Sequence, residues 1–297
     1  MSSLKYLNKL ALMTILLAAF AGVTTGVLRA QAPPSYSPDE LNQLVSRIAL
    51  YPDPLLAQIL AAATYPDQIP DAAKWADDHH YLRGDDLARA ITQDQLPWDA
   101  SVQALLPFPS VLDLMASDMN WTSELGNAFL AQHDDVMDPV QRMRKEARDY
   151  GYLRSNPQVV VSAGPYITIA PVNPYLICVP VYDPLIVFAA PRPGFFVGGA
   201  ISFGYGISLG FAFRPWGWGA THFGWGTHEV FIAGAPWGRT WANRRAYVHP
   251  YANFHRAAPA PARVERHDLI PRDEAERNAA RQGHPRPEER HGGDHRR

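Results

Sequence analysis

The chain has 297 residues, 47% of them hydrophobic and 19% charged, so it is long enough to bury a core and too apolar to be disordered throughout. Its one cysteine, Cys178, allows no internal disulfide, and its formal net charge of -2 comes with no Lys/Arg cluster interleaved with stacking aromatics. A disulfide-stapled fold and a nucleic-acid binder are thereby excluded. The near-neutral total hides an asymmetry: residues 33–150 carry 19 acidic against 8 basic side chains, whereas residues 151–262 carry 7 basic against 2 acidic.

At the N-terminus, Lys5 and Lys9 precede an uncharged apolar run from Leu10 to Val23 and a short stretch ending in Ala30-Gln31-Ala32. This is the layout of a secretory signal peptide over residues 1–32, and it predicts export to the periplasm or cell envelope. Pro33 is a poor first mature residue, so an uncleaved N-terminal anchor is the alternative. In an exported chain Cys178, set in a β-patterned segment, is read as a small buried hydrophobe.

Residues 33–155 read as an irregular helical domain. Ser37-Pro38-Asp39-Glu40 supplies a cap, a first-turn proline and a third-position acid, after which Leu41, Leu44, Val45 and Ile48 share a face. The next segment lies between two Tyr-Pro-Asp copies, at Tyr51 and Tyr65. Leu55, Leu56, Ile59, Leu60 and Ala63 form its apolar side, alanines fill most of the rest and Gln58 is its one strongly polar interior residue. Such a helix is expected at the centre of the bundle. Asp53 and Asp67 are each read as a cap, with Tyr51 and Tyr65 stapled against the following turn. About 11 intervening residues at about 1.5 Å each keep the two acids roughly 16 Å apart, too far for a shared acid/base role.

Further helices are predicted at about 68–78, 85–93, 99–106, 109–118, 122–131 and 135–150, with Gly151 ending the last. Trp75, Trp98 and Trp121 recur every 23 residues, but the residues that follow do not align and the next position in the series is Arg144. The tryptophans are read as core anchors, with Trp98 and Trp121 kept as candidate ligand-stacking residues beside Asp99 and Glu124. His79-His80 with Asp77 and Asp78 offers metal-ligand types, yet adjacent residues at a helix end diverge, so the run is read as a solvated helix end.

From Gln158 to Phe188 β-branched runs surround Pro171-Val-Asn-Pro174, which predicts a hairpin about that turn within a β segment at 156–190. Pro180 and Pro184 suit an edge or departing strand. Residues 195–213 carry no charge and alternate bulky with small side chains, from Ile201 and Ser202 to Phe213. That period of two predicts extended structure, with a glycine-spaced membrane helix (Gly206, Gly210) as the competitor. Residues 191–243 form a Gly/Trp/Phe-rich low-complexity region, and for its part from 214 to 241 no secondary structure is predicted. Residues 244–297, rich in His, Arg and Pro, are expected to be disordered.

The blocks LVSRIALYPDPLLAQILAAATYP, KWADDHHYLRGDDL, QLPWDASVQALLPFPSVLDLM, NWTSELGNAFLAQHDDVMDPVQRMRKEA and ITIAPVNPYLICVPVYDP, in this order, resemble the bacterial exported envelope proteins grouped as domain-of-unknown-function family 3300. The resemblance spans residues 38–190. It implies a helical domain, a short β segment, a Gly- and aromatic-rich region and a variable tail, and it brings no activity, cofactor or catalytic residue. The residues themselves carry no Gly-x-Ser-x-Gly elbow and no phosphate-binding glycine pattern, and Cys178 has no charged neighbour to activate it. The expected function is therefore a non-enzymatic scaffold or surface-interaction module without a cofactor. Its expected partners are peptidoglycan, a membrane surface or another envelope protein; a glycan-binding protein or cell-wall hydrolase is the competing class.

Overall fold

The computed structural model describes residues 32–162, 164–191 and 198–250. Helix α1 (Pro38–Ser46) opens on the predicted reciprocal cap: the Ser37 N–H donates to the Glu40 carboxylate at 2.7 Å and Ser37 Oγ accepts from the Glu40 N–H at 3.4 Å. Helix α2 (Asp53–Ala63) is buried at every residue except Pro54, as its alanine-filled pattern implies. Its start differs from expectation. Pro52 occupies the cap position, no side chain caps the helix, and Asp53 is its first residue. Asp67 lies exposed in a 3₁₀ turn over Pro66–Gln68, so neither acid is a cap.

The later helices fall where the periodicity puts them: α3 (Ile69–Asp78), α4 (Gly84–Gln93), α5 (Ala100–Gln103), α6 (Pro109–Ser117), α7 (Met119–Ala131) and α8 (His133–Asp149). Helix α5 is shorter than predicted, because residues 104–107 turn into Phe108, whose N–H donates to Leu105. Helix α1 packs on α8, α3 on α6, and α2 on both α5 and α7. At the α2–α7 crossing a Cβ built on Gly126 would stand 1.9 Å from the Ala63 carbonyl oxygen. The missing side chain is what lets the two backbones approach.

The β region departs from the hairpin expectation. Strand β1 (Val159–Val161) pairs antiparallel with β2 (Ile169–Pro171), but the chain after the Pro171–Pro174 turn does not fold back onto β2. Instead β3 (Leu176–Ile177) pairs with β6 (Ile207–Ser208), and β4 (Pro180–Tyr182) pairs with β5 (Ile201–Phe203) across the short helix α9 (Pro184–Val187). With prolines at 171, 174, 180 and 184, local pairing loses donors, and the uncharged segment further on supplies the partners. Pro180 does lie in an edge strand, since among the described residues β4 has β5 alone as its neighbour.

The described part of 195–213 is thus extended at β5 and β6 and then enters a 3₁₀ turn over Phe211–Trp216, which overturns the membrane-helix alternative for those residues. Among the described residues no helix is long and apolar enough to cross a membrane. The Gly/Trp-rich stretch beyond is ordered, contrary to expectation: β7 (His222–Gly224), β8 (Glu229–Ile232) and β9 (Ala235–Pro236) form an antiparallel sheet lying on α2. Phe213, Trp216, Trp218, Trp225 and Trp237 enter the same core as the helices. Two of the ring N–H groups bond to the helical body, Trp216 Nε1 on the Gln103 side chain at 2.9 Å and Trp218 Nε1 on the Ala104 carbonyl at 3.0 Å. Gly217, at φ +93°, makes the left-handed turn between two of these rings. Residues 244–250, expected to be disordered, are also placed, with His249 buried. The segment 1–31, read above as most of a signal peptide, and the tail from 251 onward lie outside the described residues.

Candidate functional site

Polar side chains converge at both ends of α2. At its N-terminal end Asp53 Oδ1 accepts from Arg144 Nη1 at 2.6 Å and from the Ile169 N–H at 3.3 Å, while Oδ2 accepts from Trp225 Nε1 at 3.1 Å. Arg144 is wholly buried. Its remaining donors go to the carbonyls of Ala49 (2.8 Å), Ile167 (2.8 Å) and Tyr51 (3.0 Å), and the Trp225 ring lies 4.9 Å from the guanidinium carbon. Tyr182 closes one side, donating its hydroxyl to the Ser46 carbonyl at 2.8 Å and meeting Tyr51 edge-on at 6.4 Å. Burial pushes the Tyr51 phenol up to about 12 and raises Tyr182 well above its ordinary value. One carboxylate therefore joins α2, α8, the β1–β2 hairpin and the residues after β7. An acid so fully engaged fixes geometry.

At the other end, Tyr65 takes the place that Asp53 has at the first. Its hydroxyl bonds to Asp99, which caps α5 through the Ser101 N–H (2.9 Å), accepts from Ser101 Oγ (2.6 Å) and lies 2.9 Å from His249 Nε2. Burial pushes the Asp99 carboxyl up, but His249 and the Ser101 bonds outweigh it and hold the carboxyl below its ordinary value. Arg239 stacks 3.6 Å from the Tyr65 ring centre and donates to Thr64 Oγ1 at 2.7 Å. Burial lowers the Arg239 guanidinium while Tyr65 and Asp99 oppose that shift.

Two clefts open on either side of Arg47. The first, of about 350 Å³, is lined by Tyr36, Glu40, Arg47, Trp121 and Glu124 among others. The second, of about 400 Å³, is lined by Arg47, Tyr51, Leu114 and residues 179–182 of the β4 segment. Arg47 pairs with Asp118 at 3.0 Å and lies 5.2 Å from the Trp121 ring centre. Burial, together with the charges of Glu124 and Glu40, raises the Tyr36 phenol, and three carboxylates, Glu40, Asp118 and Glu124, line the first cleft against the one Arg47 charge.

The candidate stacking residues are not brought together. Trp121 and Glu124 line the first cleft, although Trp121 is only 5% exposed and its ring N–H is bonded to the Leu44 carbonyl at 2.8 Å. Trp98 is half-buried against the core, and Asp99 belongs to the His249 cluster. His79 stacks on Trp75 at 3.9 Å and His80 Nδ1 lies 2.6 Å from the Asp77 carbonyl. Among the described residues no group of three or more His, Cys, Asp or Glu is placed to hold a metal ion. Cys178 is buried, and burial raises its thiol.

Arg144 escaped the sequence reading, yet a signal was present: it follows Met137 and Val140 and precedes Ala147 on the buried stripe of α8, where a charge implies a buried partner. His249 and Arg239 gave no comparable signal, since their partners lie far away in the chain.

The class of protein this defines is a mainly helical body completed by small antiparallel sheets, pinned by two buried polar clusters and carrying an open pair of clefts. Residues 37–254 match the family described as "Protein of unknown function (DUF3300)", and the chain belongs to that family. The match continues past the resemblance at 38–190 through the Trp-rich sheet and His249. The chain is also similar to "Uncharacterized protein YacH" of Escherichia coli (strain K12), 36% identical over 187 residues that cover 52% of this chain and 30% of that protein. The chain thus spans less than a third of the relative's length. No solved structure matches it.

Proposed function

We propose that the chain is an exported cell-envelope protein whose folded part is a non-enzymatic scaffold and interaction module. The observation that carries this reading is where apolar surface remains exposed. Among the described residues the exposed large hydrophobics lie mainly between Val160 and Phe211, with Val181 at 64%, Leu185 at 86% and Tyr205 at 101% exposure. Concentrated apolar exposure beside an open cleft is the mark of a contact surface. The perturbed groups each sit against a structural partner: burial shifts Tyr51, Tyr182 and Arg239, and, against burial, the bonds from His249 and Ser101 shift Asp99, so the shifts register packing more than reactivity. Export is supported by the charged and apolar N-terminal segment.

Fractionation after osmotic shock tests both parts. The mature chain should sediment with the envelope; release as a wholly soluble periplasmic protein would remove the surface contact, and retention in the cytoplasm would remove export. A glycan-binding reading is favoured by one observation, the presence of Trp121 and Glu124 in the same cleft. Incubation with purified peptidoglycan decides it, since that reading requires pelleting or released fragments.

A further inference from the structure

Among the described residues the second cleft lies along a strand edge with no paired neighbour. The Val179 carbonyl accepts from the Gly204 N–H at 3.3 Å, and the register places Pro180 opposite Phe203 and Val181 opposite Ser202. Opposed residues of an antiparallel pair alternate between exchanging hydrogen bonds and not. Val179 and Val181 therefore direct their main-chain groups to β5, and Pro180 and Tyr182 turn theirs to the opposite edge. Residues 179–182 line the second cleft and β5 contributes nothing to it, so the cleft runs along that opposite edge. Pro180 brings no N–H, which leaves its carbonyl and the Tyr182 main chain for a pairing strand.

The two clefts meet at Arg47 and differ in character. Glu40 and Glu124 line the first, and the Arg47 charge there is answered by Asp118 at 3.0 Å. The second is walled mainly by apolar and aromatic side chains, Tyr51, Leu114, Val179, Val181 and Tyr182 among them. An occupant complementary to both carries positive charge at one end and a bulky apolar group at the other, with a main chain able to pair along β4.

We propose that an extended segment of another protein adds as a strand to the free edge of β4, with an Arg or Lys side chain held between Glu40 and Glu124 and an apolar side chain in the Tyr51–Leu114 cleft. Main-chain pairing supplies affinity in this mode, and the flanking pockets supply specificity. The inference rests on the interaction-module reading and names its partner class.

The test is selection of a displayed random-peptide library on the full chain, followed by affinity measurement with the selected peptides carrying a fluorescent label. Enriched peptides should combine a basic residue with an apolar one. They should bind about tenfold or more weakly to Val181→Asp and to Glu124→Lys, and within about twofold of normal to the exposed control Asp113→Lys. Exchange of the basic residue of the peptide for Glu should restore binding to Glu124→Lys. The proposal falls if no peptide is enriched, if all variants bind alike, or if the charge exchange fails to rescue. It also falls if pelleting with peptidoglycan or with phosphatidylglycerol vesicles, in place of peptide binding, is what Val181→Asp and Glu124→Lys abolish. Peptide binding by a chain recovered from the cytoplasm would overturn the envelope placement and leave the groove standing; envelope association without peptide binding would do the reverse.

Discussion

The two ends of helix α2 begin from the same three letters and finish as different structures. At Tyr51-Pro52-Asp53 the acid goes inward, to a wholly buried arginine from α8. At Tyr65-Pro66-Asp67 the acid stays in solvent and the half-buried tyrosine takes the polar partners, Asp99 and the Arg239 guanidinium over its ring. In both cases proline sets the turn, but the distant cation meets a different member of the motif, Arg144 the Asp53 carboxylate and Arg239 the Tyr65 ring. A repeated motif therefore reports a repeated backbone event, while the polar chemistry around it belongs to the partners.

This contrast is open to test, beginning with the largest effect. Arg144→Met should lower stability by about 3–5 kcal/mol in urea unfolding, because it leaves Asp53 buried without its counter-charge. Adding Asp53→Leu should recover much of that loss. Asp53→Asn should fall in the same range as Arg144→Met, and a cost of only about 1 kcal/mol would return Asp53 to the role of a simple cap. At the other end Gly126→Ala should cost about 1–3 kcal/mol, since the added methyl meets the backbone of Ala63 and no flexible side chain can give way.

Asp99→Asn should be milder, about 1 kcal/mol, because the amide oxygen still accepts from Ser101. Its diagnostic is pH. The folded state holds the Asp99 carboxyl below its ordinary value, so the stabilisation is complete above about pH 3.9 and drains away as pH falls toward the folded-state value. Acid unfolding curves of the wild type and Asp99→Asn should therefore converge at low pH. The smallest effect belongs to His133, whose imidazole is held below its ordinary value by burial, against an opposing pull from Asp134. The unfolded chain then binds this proton more readily, so stability should decline as pH drops below about 6.5. His133→Gln should flatten that slope in Tm measurements between about pH 7 and about pH 5.5.

Much of the helical body was legible because its signals are local. The Ser37–Glu40 cap, the apolar stripe of α1 and the all-round burial of α2 follow from residues within a few positions of one another. The edge character of Pro180 and the extended form of Ile201–Phe203 were readable for the same reason. The hairpin about Pro171–Pro174 misled, since turn chemistry says where a chain reverses and not which strand it meets. The Trp/Gly stretch misled in the opposite direction: its composition resembles a featureless linker, but Trp216, Trp218 and Trp225 fill the surface that α2 and α5 leave open. Of the candidate site, Trp121 and Glu124 were picked out as neighbours, whereas Arg47 as the hinge of two clefts and β4 as their shared wall depend on packing.

By itself the amino-acid order determined the helices, the Ser37 cap, the central place of α2 and the extended character of the uncharged segment, because capping, periodicity and proline act over one or two turns. Only the tertiary structure decided that Asp53 meets Arg144, that Asp99 meets His249 and that β4 pairs with β5 and keeps its other edge beside a cleft. Those choices join residues up to 172 positions apart in one cluster, as Trp225 on Asp53 shows. A buried charge selects its partner by position in the assembled core, and no local pattern encodes that position.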